Sequence, residues 1–447
     1  MKFNIKTFGC QMNVCDSFWL EKALKLRGWE SVSEKEADVF LVNTCSVREK
    51  PEQKVYSLLG RIRPYINKKK HAFVGVGGCV AQQVGESLWE RFPEVRLVFG
   101  TDGLVYVPNA LEHLAEEPKR RISLLEFAES YPEREKLWTK VSLPSQAYVN
   151  IMQGCNNFCA YCVVPFTRGR QKSRISYAVL EECHELVQGG VREITLLGQN
   201  VNSYGQDPFG DGVSFSELLS KVCQISGLAR VHFTTSHPKD ISREVIEAYG
   251  RYSNLCPHLH LPLQSGSNKV LGNMGRKYTR EIYLDIVRQL RSVRPEISIS
   301  TDIIVGFPGE TYKDFLQTLD VMQRVRFDWS YSFKYSDRPF VRAAKFPDKL
   351  SEDVKSIRLQ ALQRLQEAMT LKSMQGLLNK EVTVLVEGPS SWNNGSYPLW
   401  RGRETGGRVV NFNWFGNENI EGALIKVKVT QAKKHSLFGE GVKFYDS

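Results

Sequence analysis

The sequence predicts an α/β protein built as three units: an open parallel α/β domain, a central partial (β/α)6 barrel and a small all-β barrel at the carboxyl end. Three observations carry this prediction. Near the start, short β-branched runs each empty into a cysteine; six further strand-like runs then alternate with helix-length amphipathic ones; and the closing stretch is β-rich, cut by Gly, Asn and Pro turns.

At 447 residues the chain is too long for one ordinary domain. Sixty Lys and Arg against 49 Asp and Glu give a net charge of +11 and a pI near 9.0, which favours a polyanionic partner. The opening Met1-Lys2-Phe3-Asn4-Ile5 leads into a polar helix and no long apolar stretch follows, so the expectation is a cytoplasmic protein with no membrane segment. Ten cysteines in a reducing compartment then point to metal or redox chemistry rather than to disulfides.

The first unit is expected over residues 1–117. Lys2 to Phe8, Asp38 to Val42 and His71 to Val76 read as strands, with helical stretches from Asp16 to Arg27 and from Arg48 to Ile62 between them. Cys10, Cys45 and Cys79 stand where these strands turn into helices. Open parallel sheets bind ligands at the carboxyl ends of their strands, so three thiolates there would converge on one mouth. Cys15 falls one helical turn further on and reads as packing. A polar, Pro-punctuated stretch, through Glu116-Glu117-Pro118-Lys119-Arg120-Arg121 and Pro132-Glu133-Arg134-Glu135-Lys136, places a linker at 118–140.

The second unit is expected over 141–372. Its strands read as Ala147 to Met152, Glu193 to Leu197, Arg230 to Thr234, His258 to Leu263, Ile297 to Val305 and Phe327 to Tyr335. Helical runs separate them: Tyr177 to Val187, Phe215 to Ile225, Arg243 to Tyr249, Arg280 to Val293 and Tyr312 to Val325. The first strand empties into Cys155, Cys159 and Cys162, spaced C-x3-C-x2-C. A structural zinc site wants four closed ligands and remains the alternative; with no fourth Cys or nearby His, three thiolates fit a [4Fe-4S] cluster with one iron left open for a substrate. Cys183 and His184 lie inside a helical run, where Cys183 reads as core. Barrel chemistry sits at the carboxyl ends of the strands, making candidate loops of Gly198-Gln199-Asn200, Ser236-His237-Pro238, Gln264-Ser265-Gly266 and Gly306-Phe307-Pro308-Gly309-Glu310. His258 and His260 share a strand face and read as satisfied barrel positions rather than ligands.

After a polar helical stretch from Ser351 to Gln375, the third unit is expected over 375–440. Its runs Glu381 to Val386, Arg408 to Asn413 and Ala423 to Val429 suggest a five-stranded barrel. Trp392, Tyr397, Trp400, Phe412, Trp414 and Phe415 interleave with Arg401, Arg403, Arg408, Lys426, Lys428, Lys433 and Lys434, a mixture suited to stacking bases and tracking phosphates. Only some of these aromatics can face RNA, since a small barrel needs others for its core. Arg401, Arg403, Lys433 and Lys434 are the candidate RNA contacts.

The C-x3-C-x2-C motif after the first barrel strand resembles the radical S-adenosylmethionine superfamily. With Gly9-Cys10-Gln11-Met12-Asn13, Asn43-Thr44-Cys45-Ser46-Val47-Arg48 and Gly77-Gly78-Cys79, the whole chain resembles its methylthiotransferases. Further wording, Gly154-Cys155-Asn156-Asn157-Phe158-Cys159, Val163-Val164-Pro165-Phe166-Thr167-Arg168-Gly169-Arg170 and Gly198-Gln199-Asn200-Val201-Asn202-Ser203-Tyr204, is similar to the branch acting on dimethylallyl-adenosine beside the anticodon of tRNA. The ribosomal-protein branch typically shows Pro-Lys at Gln11-Met12, and the threonylcarbamoyl-adenosine branch Lys-Val.

The resemblance implies two [4Fe-4S] clusters, an auxiliary one on Cys10, Cys45 and Cys79 and a radical one on Cys155, Cys159 and Cys162. S-adenosylmethionine would serve both as radical source and as methyl donor, the radical taking hydrogen from carbon 2 of adenine, a step that needs a cofactor. Tyr161, Gln199 and Asn200 would contact S-adenosylmethionine. The carboxyl-terminal barrel would be a TRAM-like RNA-binding module, the substrate a tRNA anticodon loop, the electron donor flavodoxin-like and the enzyme a monomer. Methylthiolation of threonylcarbamoyl-adenosine or of a ribosomal-protein aspartate, and a zinc-containing non-catalytic RNA-binding protein, are the rival readings.

Overall fold

The computed structural model describes residues 1–45, 50–69, 71–137, 143–390, 399–416 and 418–445, with backbone alone for 50–52. Ser46, Val47 and Arg48 of the second cysteine motif, and Trp392 and Tyr397 of the aromatic set, lie outside the described residues.

The amino-terminal sheet has six parallel strands in the order Glu30–Ser31, Lys2–Phe8, Val39–Thr44, Phe73–Gly78, Val95–Phe99 and Ile122–Leu124. Along Val39–Thr44 successive side chains take opposite faces, as strand pleating requires. Val39 and Leu41 pack with Trp19, Leu20 and Leu24 of the helix Gln11–Leu26, whereas Phe40 and Val42 pack with Val55, Leu59 and Ile62 of the helix Lys50–Asn67. Helices on both faces bury the central strands completely, which is why those strands read as continuous apolar runs. Because the second strand pairs outside the first and the third inside it, a crevice opens between the carboxyl ends of Lys2–Phe8 and Val39–Thr44, the switch point where such sheets bind ligands. The stretch read as a linker supplies the sixth strand: Ile122–Leu124 is too short to signal itself in sequence and forms on the edge offered by Val95–Phe99.

The central unit follows the expected βα alternation. Its strands are Gln146–Asn150, Glu193–Leu197, Arg230–Phe233, His258–His260, Ser298–Val305 and Trp329–Lys334, all parallel within two three-stranded sheets joined by the Val231–Leu255 bridge. Among the described residues the first and last strands do not pair, leaving the barrel open along one seam. Side-chain caps fix where most of its helices begin: Ser214, Ser242, Ser267, Thr279 and Thr311 each accept an amide hydrogen bond three residues on. A short helix, Asn268–Met274, follows the Gln264-Ser265-Gly266 turn and was not expected; its Ser267 cap is its sequence signal. Leu196, Leu218, Val231, Leu259, Ile299 and Phe327 belong to the continuous core beneath the helices.

The carboxyl-terminal unit is a closed five-stranded barrel in the order Glu381–Pro389, Leu399–Glu404, Val409–Asn413, Leu437–Phe444, Leu424–Ala432. It docks on the amino ends of the central strands. Arg230 donates to Arg403 O at 3.0 Å and to Thr383 O at 2.7 Å, Ser298 donates to Gly406 O at 3.1 Å, and Arg408 pairs with Asp328 at 2.5 Å. Among the described residues no helix is long and apolar enough to cross a membrane.

Candidate active site

Cys10, Cys45 and Cys79 stand at the carboxyl ends of three neighbouring strands. Cys10 caps the helix Gln11–Leu26, and its thiol lies 3.3 Å from Asn13 Oδ1. Asn13 also donates to Asn43 Oδ1 at 3.0 Å and to Thr44 O at 3.1 Å, while Asn43 donates back to Asn13 O at 3.0 Å. This buried asparagine pair fastens the turn holding Cys10 to the one holding Cys45. Thr44 in turn donates to Gly77 O at 2.6 Å, tying in the strand before Cys79. Gly78 is required there: its φ is +84°, and a Cβ would fall 2.2 Å from Thr44 O.

The Cys45 thiol hydrogen-bonds both Cys10 and Cys79. As the shared donor it holds its proton, its own pKa driven far up by those bonds and by burial. Its neighbours go the other way: Cys10 is lowered to about 6 and Cys79 to about 5, first by the Cys45 hydrogen bond and further by the Arg168 cation.

Cys155, Cys159 and Cys162 occupy one loop. Gly154 (φ +78°) starts it, where a Cβ would lie 2.0 Å from Arg170 O, and Cys155 N donates to Gly169 O at 3.3 Å. Arg276 donates to Cys159 Sγ at 3.5 Å, and its other nitrogens bond Pro262 O and Tyr278 Oη. Burial raises the pKa of Cys155 and pushes Cys162 to about 12.

Between the two sets lies a seam of three side chains. Arg168, six residues past Cys162 and 3% exposed, reaches from the central unit to the amino-terminal one; its Nη1 is 3.6 Å from Met12 Sδ and its side chain hydrogen-bonds Cys79. Gln199 Oε1 accepts from Gly154 N at 2.6 Å, while its Nε2 lies 2.5 Å from the same Met12 sulfur. A buried ion pair, Lys172 with Asp102, locks the two units, supported by Ala128 N on Asp102 at 2.7 Å and Gln153 Nε2 on Thr101 Oγ1 at 3.1 Å. Cys15 packs in the same interface with Met12 and Leu197, while Cys183 is central core.

Of the other predicted contacts, Tyr161 is half-buried against Ala160, Met274 and Phe307. Asn200 donates to Asp240 at 2.7 Å and leaves its buried Oδ1 unpartnered. Asn202 Oδ1 and Nδ2, Ser236 Oγ and His237 Nε2 are also buried without partners, on loops at the same end of the barrel. Buried polar atoms are nearly always paired, so these orphans are candidate contacts for a polar ligand. Burial, reinforced by Arg276, lowers His237 to about 2 and keeps it neutral. His258 and His260 are satisfied: both bond Ser300 Oγ, at 3.1 and 2.9 Å.

Arg401 and Arg403 both pair with Glu387, at 3.4 and 2.8 Å, Lys434 pairs with Glu367 at 2.7 Å, and Lys433 lies over the Phe438 ring. None of these lies in either cysteine loop. Trp400, Phe412 and Trp414 are barrel core and Phe415 is exposed, while Arg408 is taken up by Asp328 and Glu404.

Among the described residues no group of three or more His, Cys, Asp or Glu is spaced to close on a single ion. A cubane asks for something different, one thiolate on each of three irons. Two sets of three cysteines, each beside a buried arginine that offsets thiolate charge, fit such clusters.

Residues 2–100 match the Uncharacterized protein family UPF0004, and residues 149–322 match the Radical SAM superfamily. The chain is 55% identical over 438 residues to the tRNA-2-methylthio-N(6)-dimethylallyladenosine synthase of Nitratidesulfovibrio vulgaris (strain Hildenborough), covering 98% of each. It is 54% identical over 453 residues to that of Oleidesulfovibrio alaskensis, again covering 98% of each. Among solved structures it is similar in fold to TsrM, a radical S-adenosylmethionine methyltransferase from Kitasatospora setae, with a TM-score of 0.56 and 14% identity over 77% of this chain and 74% of that one.

Proposed function

The chain belongs to the radical S-adenosylmethionine methylthiotransferase family, and on that premise we propose that it attaches a methylthio group to carbon 2 of dimethylallyl-adenosine beside the anticodon of tRNA. The observation that carries this reading is that two cysteine sets, each at the carboxyl ends of a parallel sheet, are linked through contacts of Arg168 and Gln199 with Met12.

Cys155, Cys159 and Cys162 would hold the radical cluster, and Cys10, Cys45 and Cys79 the auxiliary one. Bound there, the two [4Fe-4S] clusters and S-adenosylmethionine supply the one-electron chemistry, the sulfur and the methyl group that replace an unactivated C–H bond. The chain's own residues position these parts. Asn200, Asn202, Ser236 and His237 present unpaired polar atoms to a polar cofactor, and Gln199 braces the turn before Cys155. Tyr161 would stand at the rim of that cofactor, beside Cys162. Neutral His237 offers a lone pair or an N–H without adding charge. Arg168 brings a desolvated cation to the auxiliary set, where it offsets thiolate charge. An anticodon loop is already unpaired, so its adenine reaches a recessed site without the few kcal/mol that base flipping costs. Arg401, Arg403, Lys433 and Lys434 would contact the rest of the RNA. A flavodoxin-like electron donor, a monomeric state and a cytosolic location complete the proposal.

The test is a turnover assay with tRNA carrying dimethylallyl-adenosine, tRNA carrying threonylcarbamoyl-adenosine, and ribosomal protein, read by mass spectrometry. Methylthiolation of the first alone is expected. Modification of either other substrate in preference would transfer the chain to another branch of the family.

A further inference from the structure

The first and last strands of the central barrel leave it open along one seam, and the chain segments that follow them each end in an exposed phenylalanine. Phe166 lies in the turn of helix Val164–Thr167, four residues after Cys162, and Phe340 lies in the loop after Trp329–Lys334. Their rings stand 5.9 Å apart at 33°, with 41% and 65% of each residue exposed. The pairing is anchored close to the chemistry. Ala343 N donates to Ala160 O at 2.8 Å, binding the Phe340 loop to the cysteine loop, and Thr167, next to Phe166, touches Cys79 of the other set.

Two apolar rings facing solvent at a polar mouth need a reason. Phe340 is held at φ +69°, a left-handed conformation that bulky residues rarely adopt, so its outward placement is imposed by the loop. The surroundings are cationic. Residues 155–180 contain no Asp or Glu, and the Phe340 loop carries Arg338, Arg342 and Lys345 between Asp337 and Asp348. Arg170, Arg342 and Lys345 are exposed, and none of them stands in an ion pair among the described residues; Arg170 instead lies 4.2 Å over the Phe158 ring. Aromatic faces interleaved with cations are the arrangement that binds single-stranded nucleic acid, because any base offers a π-face and the backbone offers phosphates.

We propose that Phe166 and Phe340 form a stacking platform at the open seam for an unpaired base flanking the target adenine, with Arg170, Arg342 and Lys345 taking the adjacent phosphates. This deepens the tRNA reading and rests on it. The platform places RNA recognition at the same end of the barrel as the cysteines, separate from the carboxyl-terminal barrel at the other end.

The experiment compares wild-type holoenzyme with F166A/F340A, F340L and F340W for binding to an anticodon stem-loop and to a blunt RNA duplex of equal length, by fluorescence anisotropy at fixed salt, with iron content as the check of folding. Loss of stem-loop affinity by about tenfold in F166A/F340A and severalfold in F340L is expected from the loss of one stacked base, with F340W near wild type and duplex binding unchanged. Should the double variant lose iron, F340L against F340W decides alone, since Phe340 is largely exposed. Unchanged stem-loop affinity in F340L overturns the platform, as does an equal loss toward the duplex. A raised KM for a protein reductant with RNA affinity intact would assign the surface to the electron donor and also overturn it. A wild-type enzyme that methylthiolates nothing, with loop binding still lost in F340L, would keep the platform and remove the methylthiolation reading instead.

Discussion

The two cysteine sets reach similar compositions by opposite routes. Cys155, Cys159 and Cys162 share one loop, so eight consecutive residues bring them together whatever the rest of the chain does. Cys10, Cys45 and Cys79 come from three strand ends and meet only because the sheet order and the Asn13–Asn43 pair align those ends. Their electrostatics differ accordingly. In the loop, burial raises Cys155 and Cys162; at the strand ends the Cys45 hydrogen bonds and then the Arg168 cation lower Cys10 and Cys79. The set assembled by topology thus has its thiols drawn toward the thiolate, and part of that pull comes from the neighbouring unit.

The largest effect that tests this contrast is removal of either set. Alanine at Cys155, Cys159 and Cys162, or at Cys10, Cys45 and Cys79, should abolish methylthiolation and lower iron from about eight to about four per chain. Loss of nearly all iron from either triple variant would show that the sites load together and break the comparison. Next comes the lock between the units. Lys172→Ala leaves Asp102 buried without its counter-charge and should cost about 3–5 kcal/mol in urea unfolding, since stranding one partner of a buried pair is expensive. A loss under about 1 kcal/mol would mean that water reaches that ion pair.

The smallest expected effect sharpens the contrast most directly. In metal-free protein at neutral pH, iodoacetamide should alkylate Cys10 ahead of Cys155 and Cys162. A lowered pKa means the thiolate is present above about 6 and lost as pH falls through it, so Cys10 labelling should fade below that pH, while Cys162 should react only toward pH 12. Because the Cys45 hydrogen bond is the larger cause, Arg168→Gln should shift the Cys10 profile part of the way toward an ordinary thiol and Cys45→Ala should shift it further. Identical profiles in wild type and Arg168→Gln would deny the cation its role.

The loop set was legible in the sequence because its information is local: a strand, a glycine and a C-x3-C-x2-C spacing within one span. The strand-end set was legible only through the repeated pattern of strand into cysteine, which gives an approximate place but no contact. Arg168 lies in the 163–170 stretch that carries part of the family resemblance, yet nothing in that stretch tells that the side chain crosses to Cys79. Arg276 has no local signal at all, reaching Cys159 across 117 residues. In the carboxyl-terminal barrel the composition mixed two demands, for Trp400, Phe412 and Trp414 fill a core that sequence alone cannot separate from a binding face. Ile122–Leu124 escaped notice because three residues owe their strand to the neighbouring edge, not to themselves.

If both ends grip RNA as proposed, the docking of the carboxyl-terminal barrel on the amino ends of the central strands would make the enzyme a caliper. Its jaws would be the cysteine mouth and the arginines around Glu387, at opposite ends of strands such as Ser298–Val305, which alone spans about 25 Å at 3.3 Å per residue. An RNA gripped at both would present its reactive base to one jaw and a stretch of backbone to the far one. A short single strand would satisfy one jaw at a time, whereas a loop on a rigid stem would fit the gauge.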